Sequence, residues 1–89
     1  MNVEILTPDL LVYKGEASGI QLPGVSGSFE ILNNHAPLIA ALKTGPLRLN
    51  GAENGATSIT WDIKAGFVEV LNNHIIVLTE GAKKEGADK

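Results

Sequence analysis

Residues 58–79 read SITWDIKAGFVEVLNNHIIVLT. From Ser58 to Ile63 the chain alternates, which sets Ile59, Trp61 and Ile63 on one side of an extended backbone and Ser58, Thr60 and Asp62 on the other. Phe67 to Leu71 and Ile75 to Thr79 are β-rich runs that flank Asn72-Asn73-His74. Asparagine tolerates the positive φ of a tight hairpin turn, so these runs are predicted to pair through an Asn-Asn turn.

The same grammar continues outward. Val3 to Thr7 stops at Pro8-Asp9, Leu10 to Tyr13 runs into Gly15, and Ser18 to Leu22 is expected to turn at Pro23-Gly24. Ser28 to Leu32 puts Phe29 and Ile31 on one face, and Leu47-Arg48-Leu49 alternates. Residues 51–56 (GAENGA) form a polar, glycine-rich tip, whereas residues 37–43 (PLIAALK) fit either a helical turn or a buried strand. From Glu80 onward there is no Leu, Ile, Val or aromatic residue, so a polar, frayed tail over 81–89 is expected after a domain over 1–80. The fold class is all-β: a small sandwich or flattened barrel of about eight to ten short, mostly antiparallel strands.

Composition narrows the function classes. Eighty-nine residues bury one modest core and leave little room for a deep cleft. The charge of −3 is spread singly, and the only basic cluster, Lys83-Lys84, is too small for a phosphate-backbone binder. No cysteine is present, which excludes disulfides and thiolate metal sites. The N-terminus shows no signal-peptide pattern. The longest uncharged, apolar-leaning run, Ile31 to Leu42, is too short and too interrupted to span a bilayer.

Catalytic signatures are missing too. No G-x-S-x-G elbow, phosphate-binding lysine loop or dinucleotide fingerprint occurs, and Val25-Ser26-Gly27-Ser28 has no specific motif around it. Residues 30–38 (EILNNHAPL) and 69–77 (EVLNNHIIV) echo each other at an offset of 39 and hold both histidines, His35 and His74. A metal site needs three or four converging ligands, and a glutamate and histidine separated by a turn share no fixed face. The expectation is no catalytic residue, no cofactor and no metal. The distinctive stretch is 23–46, whose apolar residues 38–42 exceed the inside places of a small β domain and fit an exposed patch for a protein partner. A central buried strand is the other reading.

Four blocks then make the chain similar to a known family: Val3-Glu4-Ile5-Leu6-Thr7-Pro8 with Gly15; Ile20-Gln21-Leu22-Pro23-Gly24 with Gly27; His35-Ala36-Pro37-Leu38 with Ala41-Leu42-Lys43 and Gly45; and Gly66-Phe67-Val68-Glu69-Val70 with Val77-Leu78-Thr79. Together they resemble the N-terminal β-sandwich domain of the epsilon subunit of F-type ATP synthases. Asn33-Asn34 stand where that family usually has Pro-Gly, and the C-terminal helix pair usual in the family has no counterpart before Lys89. The resemblance implies a non-catalytic rotor part of the central stalk, held on the cytoplasmic side of an energy-transducing membrane through the complex. It would link the gamma subunit to the c-subunit ring and couple rotation to ATP synthesis in a proton-translocating enzyme, without an inhibitory arm or an ATP site. By position it assigns Thr7, His35, Pro37, Leu38 and Ala40 to the gamma interface, and Gly27, Ser28, Phe29 and Glu30 to the c-ring interface. On that reading Leu38→Asp weakens gamma binding more than folding, His35 is felt at the gamma interface, and His74 at a hairpin tip is nearly silent. A generic β-sandwich adaptor with another protein partner is the alternative.

Overall fold

The computed structural model describes residues 1–55 and 57–85. Its strands are β1 (Asn2–Leu6), β2 (Leu11–Glu16), β3 (Gly19–Gly24), β4 (Gly27–Leu32), β5 (Leu38–Leu42), β6 (Gly45–Gly51), β7 (Thr57–Leu71) and β8 (His74–Lys84), with a single helical turn, α1 (Ala52–Gly55), between β6 and β7. Pairing runs β2-β1-β8-β7-β5-β3-β4, and β6 bridges β3 and β7. All pairs are antiparallel except β1 with β8. The expected β-sandwich is thus present, with one parallel pair inside it.

The hairpin predicted at Asn72-Asn73 forms as expected. Leu71 pairs with His74, and both turn residues have positive φ, 52° and 61°. This is the two-residue turn whose twist matches the twist of its strands. Between them β7 and β8 bend together. Ile59, Trp61 and Ile63 point inward in the first half of β7, but Val68 and Val70 do so in the second. The change of parity falls at Ala65 (φ 37°) and Gly66 (φ 143°). A Cβ at Gly66 would run into the Leu78 carbonyl oxygen, so only glycine fits there. Opposite the bend, the buried Thr79 hydroxyl donates to the Lys64 carbonyl at 2.7 Å and accepts from the Gly81 N–H at 3.4 Å. Strands that bend in this way pass from one layer of a sandwich to the other.

Three local expectations change. Residues 38–42 form β5, a strand, because pairing with β7 from Leu38–Val70 to Leu42–Gly66 satisfies backbone groups that a lone helical turn would leave open. The β3–β4 turn falls at Val25-Ser26 rather than Pro23-Gly24, since Gly24 still pairs with Gly27. Gly24 serves close packing instead: a Cβ there would lie 2.8 Å from the Phe29 ring. Finally, the polar tail expected from residue 81 begins too early. β8 continues to Lys84 opposite Trp61, because a backbone ladder needs no apolar side chain. Residues 86–89 of that expected tail, and Ala56 of the expected 51–56 tip, lie outside the described residues.

The core is aliphatic around one aromatic. Val3, Ile5, Ile20, Leu22, Ile31, Leu47, Leu49, Ile63, Ile75 and Val77 are fully buried, and Trp61 is the buried aromatic among them. Tyr13 packs edge-on against Trp61, with ring centroids 5.6 Å apart and planes at 63°. Burial, then the charges of Glu53 and Glu16, push the Tyr13 hydroxyl above the ordinary tyrosine value. Among the described residues no buried side-chain nitrogen or oxygen lacks a hydrogen-bond partner. The molecule therefore has a closed, satisfied interior, which moves the question of function to its surface.

Candidate docking faces

Strand register decides what each outer surface displays, because neighbouring positions on paired strands stand side by side on one face. Across β5, β7, β8, β1 and β2 one outward row reads Ala41, Phe67, Leu78, Leu6, Leu11. Phe67, Leu78 and Leu11 in this row are 58%, 53% and 50% exposed. The next row reads Ile39, Glu69, Ile76, Glu4, Lys14, with Ile39 at 72% exposure. Two shallow depressions flank Phe67 and Leu78. One, of about 310 Å³, reaches Leu6 and Thr7; the other, of about 240 Å³, reaches Ile39 and Ile76. An apolar row crossing five strands is more than the scattered exposed leucines of an ordinary surface and marks a place for a partner.

The opposite outer surface is polar. Across β4, β3, β6 and the first half of β7 the row reads Glu30, Gln21, Arg48, Thr60. Beside it Asp62 pairs in register with Lys83. At its margin Glu85 hydrogen-bonds Asp62, which together with the charge of Asp62 raises the Glu85 carboxyl above its ordinary value.

The residues assigned from sequence do not form one cluster on the apolar face: Leu38, Ala40 and Phe29 turn toward the core, and Glu30 stands on the polar surface. Thr7 closes the β1–β2 turn: its N–H donates to the Leu10 carbonyl at 3.0 Å, and its hydroxyl accepts the Leu10 N–H at 3.3 Å. His35 and Pro37 lie exposed in the link between β4 and β5, with His35 Nδ1 2.7 Å from the Ala36 carbonyl. This link is at the Asn72-Asn73 end of the face, opposite Thr7, as the pairings Leu38–Val70 and Leu6–Leu78 require. Leu38 and Ala40 are half-buried against the core; their neighbours Ile39 and Ala41 point outward. Leu38→Asp is therefore expected to cost folding as well as binding. Gly27, Ser28 and Glu30 are exposed on the β3–β4 hairpin, while Phe29 turns toward the core. Phe29 and Gly27 share a groove of about 470 Å³ with Leu38 and Ala40, so both assigned sets meet there.

His74 is not an idle turn residue. It opens β8, and its Nε2 lies 2.8 Å from Glu4 Oε2 in a partly buried pair that ties β8 to β1. The parallel β1–β8 pairing that brings them together joins strands far apart in sequence, and no local signal announces it. Sequence reasoning also missed Phe67, Leu78, Leu6, Leu11 and Ile39 as a surface. A signal existed: Ile75-Ile76-Val77-Leu78 is an unbroken apolar run, which in a strand means both faces are apolar. Among the described residues no three of His, Asp and Glu converge as metal ligands, and no helix is long and apolar enough to cross a membrane.

Comparison with known proteins agrees with this architecture. A family model described as the beta-sandwich domain of the ATP synthase delta/epsilon chain matches residues 1–85. An ATP synthase epsilon chain of Leptospira borgpetersenii is 40% identical over 89 residues, covering 99% of this chain and 68% of that one. The ATP synthase epsilon chain of Chlorobium limicola is 42% identical over 79 residues, covering 89% of this chain and 88% of its own length. A chain in the cryo-EM structure of the Euglena gracilis mitochondrial ATP synthase (OSCP/F1/c-ring) superposes with a TM-score of 0.83 at 20% identity over 92% of this chain and 51% of that one. A chain in the central stalk/c-ring structure from Tetrahymena thermophila gives 0.76 at 22% identity, over 92% of this chain and 64% of that one. At these identities the two structures speak for the fold alone.

Proposed function

The chain belongs to the ATP synthase delta/epsilon chain family, and from that membership we propose that it is a non-catalytic rotor subunit of the central stalk of a proton-translocating F-type ATP synthase. It links the gamma subunit to the c-subunit ring and helps couple ring rotation to ATP synthesis. It is held peripherally, through the complex, on the cytoplasmic side of the membrane. The observation that carries this reading is the apolar row from Ala41 through Phe67, Leu78 and Leu6 to Leu11. A permanent partner such as gamma needs an apolar contact of this kind, which a transient ligand does not. The exposed polar tip at Gly27, Ser28 and Glu30 supports a second, wetter contact with the polar loops of the ring. A rigid two-layer sheet also suits a part that must transmit torque without bending.

The test is direct binding to purified cognate gamma subunit by titration calorimetry. Wild-type chain is expected to bind, and Phe67→Asp to lose most of that affinity while keeping its melting temperature. Binding that is indifferent to Phe67→Asp and Leu78→Asp together would remove the apolar face from the interface.

A further inference from the structure

The two Leu-Asn-Asn-His turns touch. Asn73 Nδ2 donates to Asn33 Oδ1 at 2.9 Å, and Asn73 Oδ1 accepts the backbone N–H of Asn34 at 2.7 Å. One amide thus spends its donor on one residue of the β4–β5 link and its acceptor on the next. The Met1 backbone nitrogen also donates to Asn33 Oδ1, at 3.2 Å, and the Asn2 N–H donates to the Asn73 carbonyl at 3.1 Å. Beyond the clasp the link runs exposed through His35, Ala36 and Pro37, outside any ladder, until β5 begins at Leu38.

We propose that Asn73 is a positioning residue for the partner-binding segment His35–Leu38. Its bonds to Asn33 and Asn34 fix the root of a link that would otherwise have to be ordered when the partner docks. That role rests on the reading of His35 and Pro37 as part of the gamma-facing surface. A segment ordered in advance loses less freedom on binding, so the clasp raises affinity without touching the partner. The chemistry is specific to an amide. A hydroxyl or an aliphatic side chain cannot donate to one neighbour and accept from the next over this span. Backbone conformation narrows the choice further, since Asn73 sits at φ 61° and Asn34 at φ 62°, where asparagine and glycine are accepted and most residues are strained.

The test uses the full chain and purified gamma subunit, with two readouts: affinity by calorimetry, and the amide–water exchange rate of Asn34 by NMR. Asn73→Gly removes the side chain without backbone strain; Asn73→Asp keeps the acceptor for the Asn34 N–H. Loss of a surface hydrogen bond predicts about three- to tenfold weaker gamma binding and about tenfold faster Asn34 exchange in Asn73→Gly. Asn73→Asp is expected to restore slow Asn34 exchange through the retained acceptor but not full affinity, because its second carboxylate oxygen faces Asn33 Oδ1 where the amide donated; fast Asn34 exchange in Asn73→Asp sinks the proposal. A residue that only stabilises its own turn would instead lower the melting temperature of Asn73→Gly and leave affinity alone, which sinks the proposal. Equal Asn34 exchange in wild type and Asn73→Gly sinks it as well. If wild-type chain fails to capture gamma, the functional reading falls and the positioning role with it; intact wild-type capture with no loss in Asn73→Gly sinks the positioning role alone.

Discussion

On the face made by β5, β7, β8, β1 and β2 the cross-strand row reads Ala41, Phe67, Leu78, Leu6, Leu11; on the face made by β4, β3, β6 and β7 it reads Glu30, Gln21, Arg48, Thr60. Both rows cover the same core. What differs is the side turned to water, and β7 contributes to both. Before the bend its outward residues include Thr60 and Asp62; after it they include Phe67 and Leu71. A free sandwich gains nothing from the exposed phenylalanine and leucines of the first face. A partner that covers the first face would gain from them, as the proposed gamma contact does, whereas the second face is already suited to water.

The sharpest way to break this comparison is at the bend that separates the faces. Gly66→Val forces a side chain into the Leu78 carbonyl at a φ that only glycine takes easily. It is expected to cost about 3 kcal/mol and roughly 15 °C in thermal melting. A near-native melt would mean the strand crosses between layers without needing its glycine. Next comes Phe67→Asp. Gamma affinity should drop about thirtyfold or more, as for a central anchor of an interface, while stability moves by less than about 0.5 kcal/mol. His74→Ala leaves Glu4 without its partner and should cost about 1 kcal/mol in urea unfolding, with no comparable change in gamma binding. Arg48→Ala, on the polar row, should change stability and affinity by less than about 0.5 kcal/mol; a larger loss of binding would show that the polar face docks too.

The smallest effect is one of pH. Hydrogen bonding to Asp62 raises the folded-state value of Glu85. The protonated form therefore favours the paired strand end, and the contribution is present at acid pH and lost as pH rises through the raised value. Amide exchange at Glu85, whose N–H donates to the Thr60 carbonyl at 2.8 Å, should quicken over that range. Asp62→Asn should flatten the dependence.

Local signals in the sequence were readable where structure is local. The alternation at Ile59, Trp61 and Ile63 and the Asn-Asn turn gave the β7–β8 hairpin and the sandwich class. What escaped depends on which strand lies beside which. The alternation of β5 is clear only once β7 is placed next to it; then Leu38 and Ala40 go inward, and Ile39 and Ala41 outward. Which side Phe67 and Leu78 take is decided by the change of parity at Ala65 and Gly66, which turns them to the surface. The His74–Glu4 pair and the Asn73 clasp both bridge elements far apart in sequence, so no window of residues contains either one.

The parallel pairing of β1 with β8 also bears on how the molecule comes into being. Val3 and Ile5 are completely buried, yet the strand that pairs beside them, from Ile75 to Leu78, follows only after all the other strands in the sequence. On the ribosome the first strand must wait, with only β2 beside it, until β8 has emerged. Contacts this distant along the chain slow folding, and the domain is expected to close in about milliseconds to seconds, as a unit and only once β8 is available. During that wait the apolar strands of the future docking face stand open, which makes early capture by a partner or a chaperone a matter of timing as well as affinity.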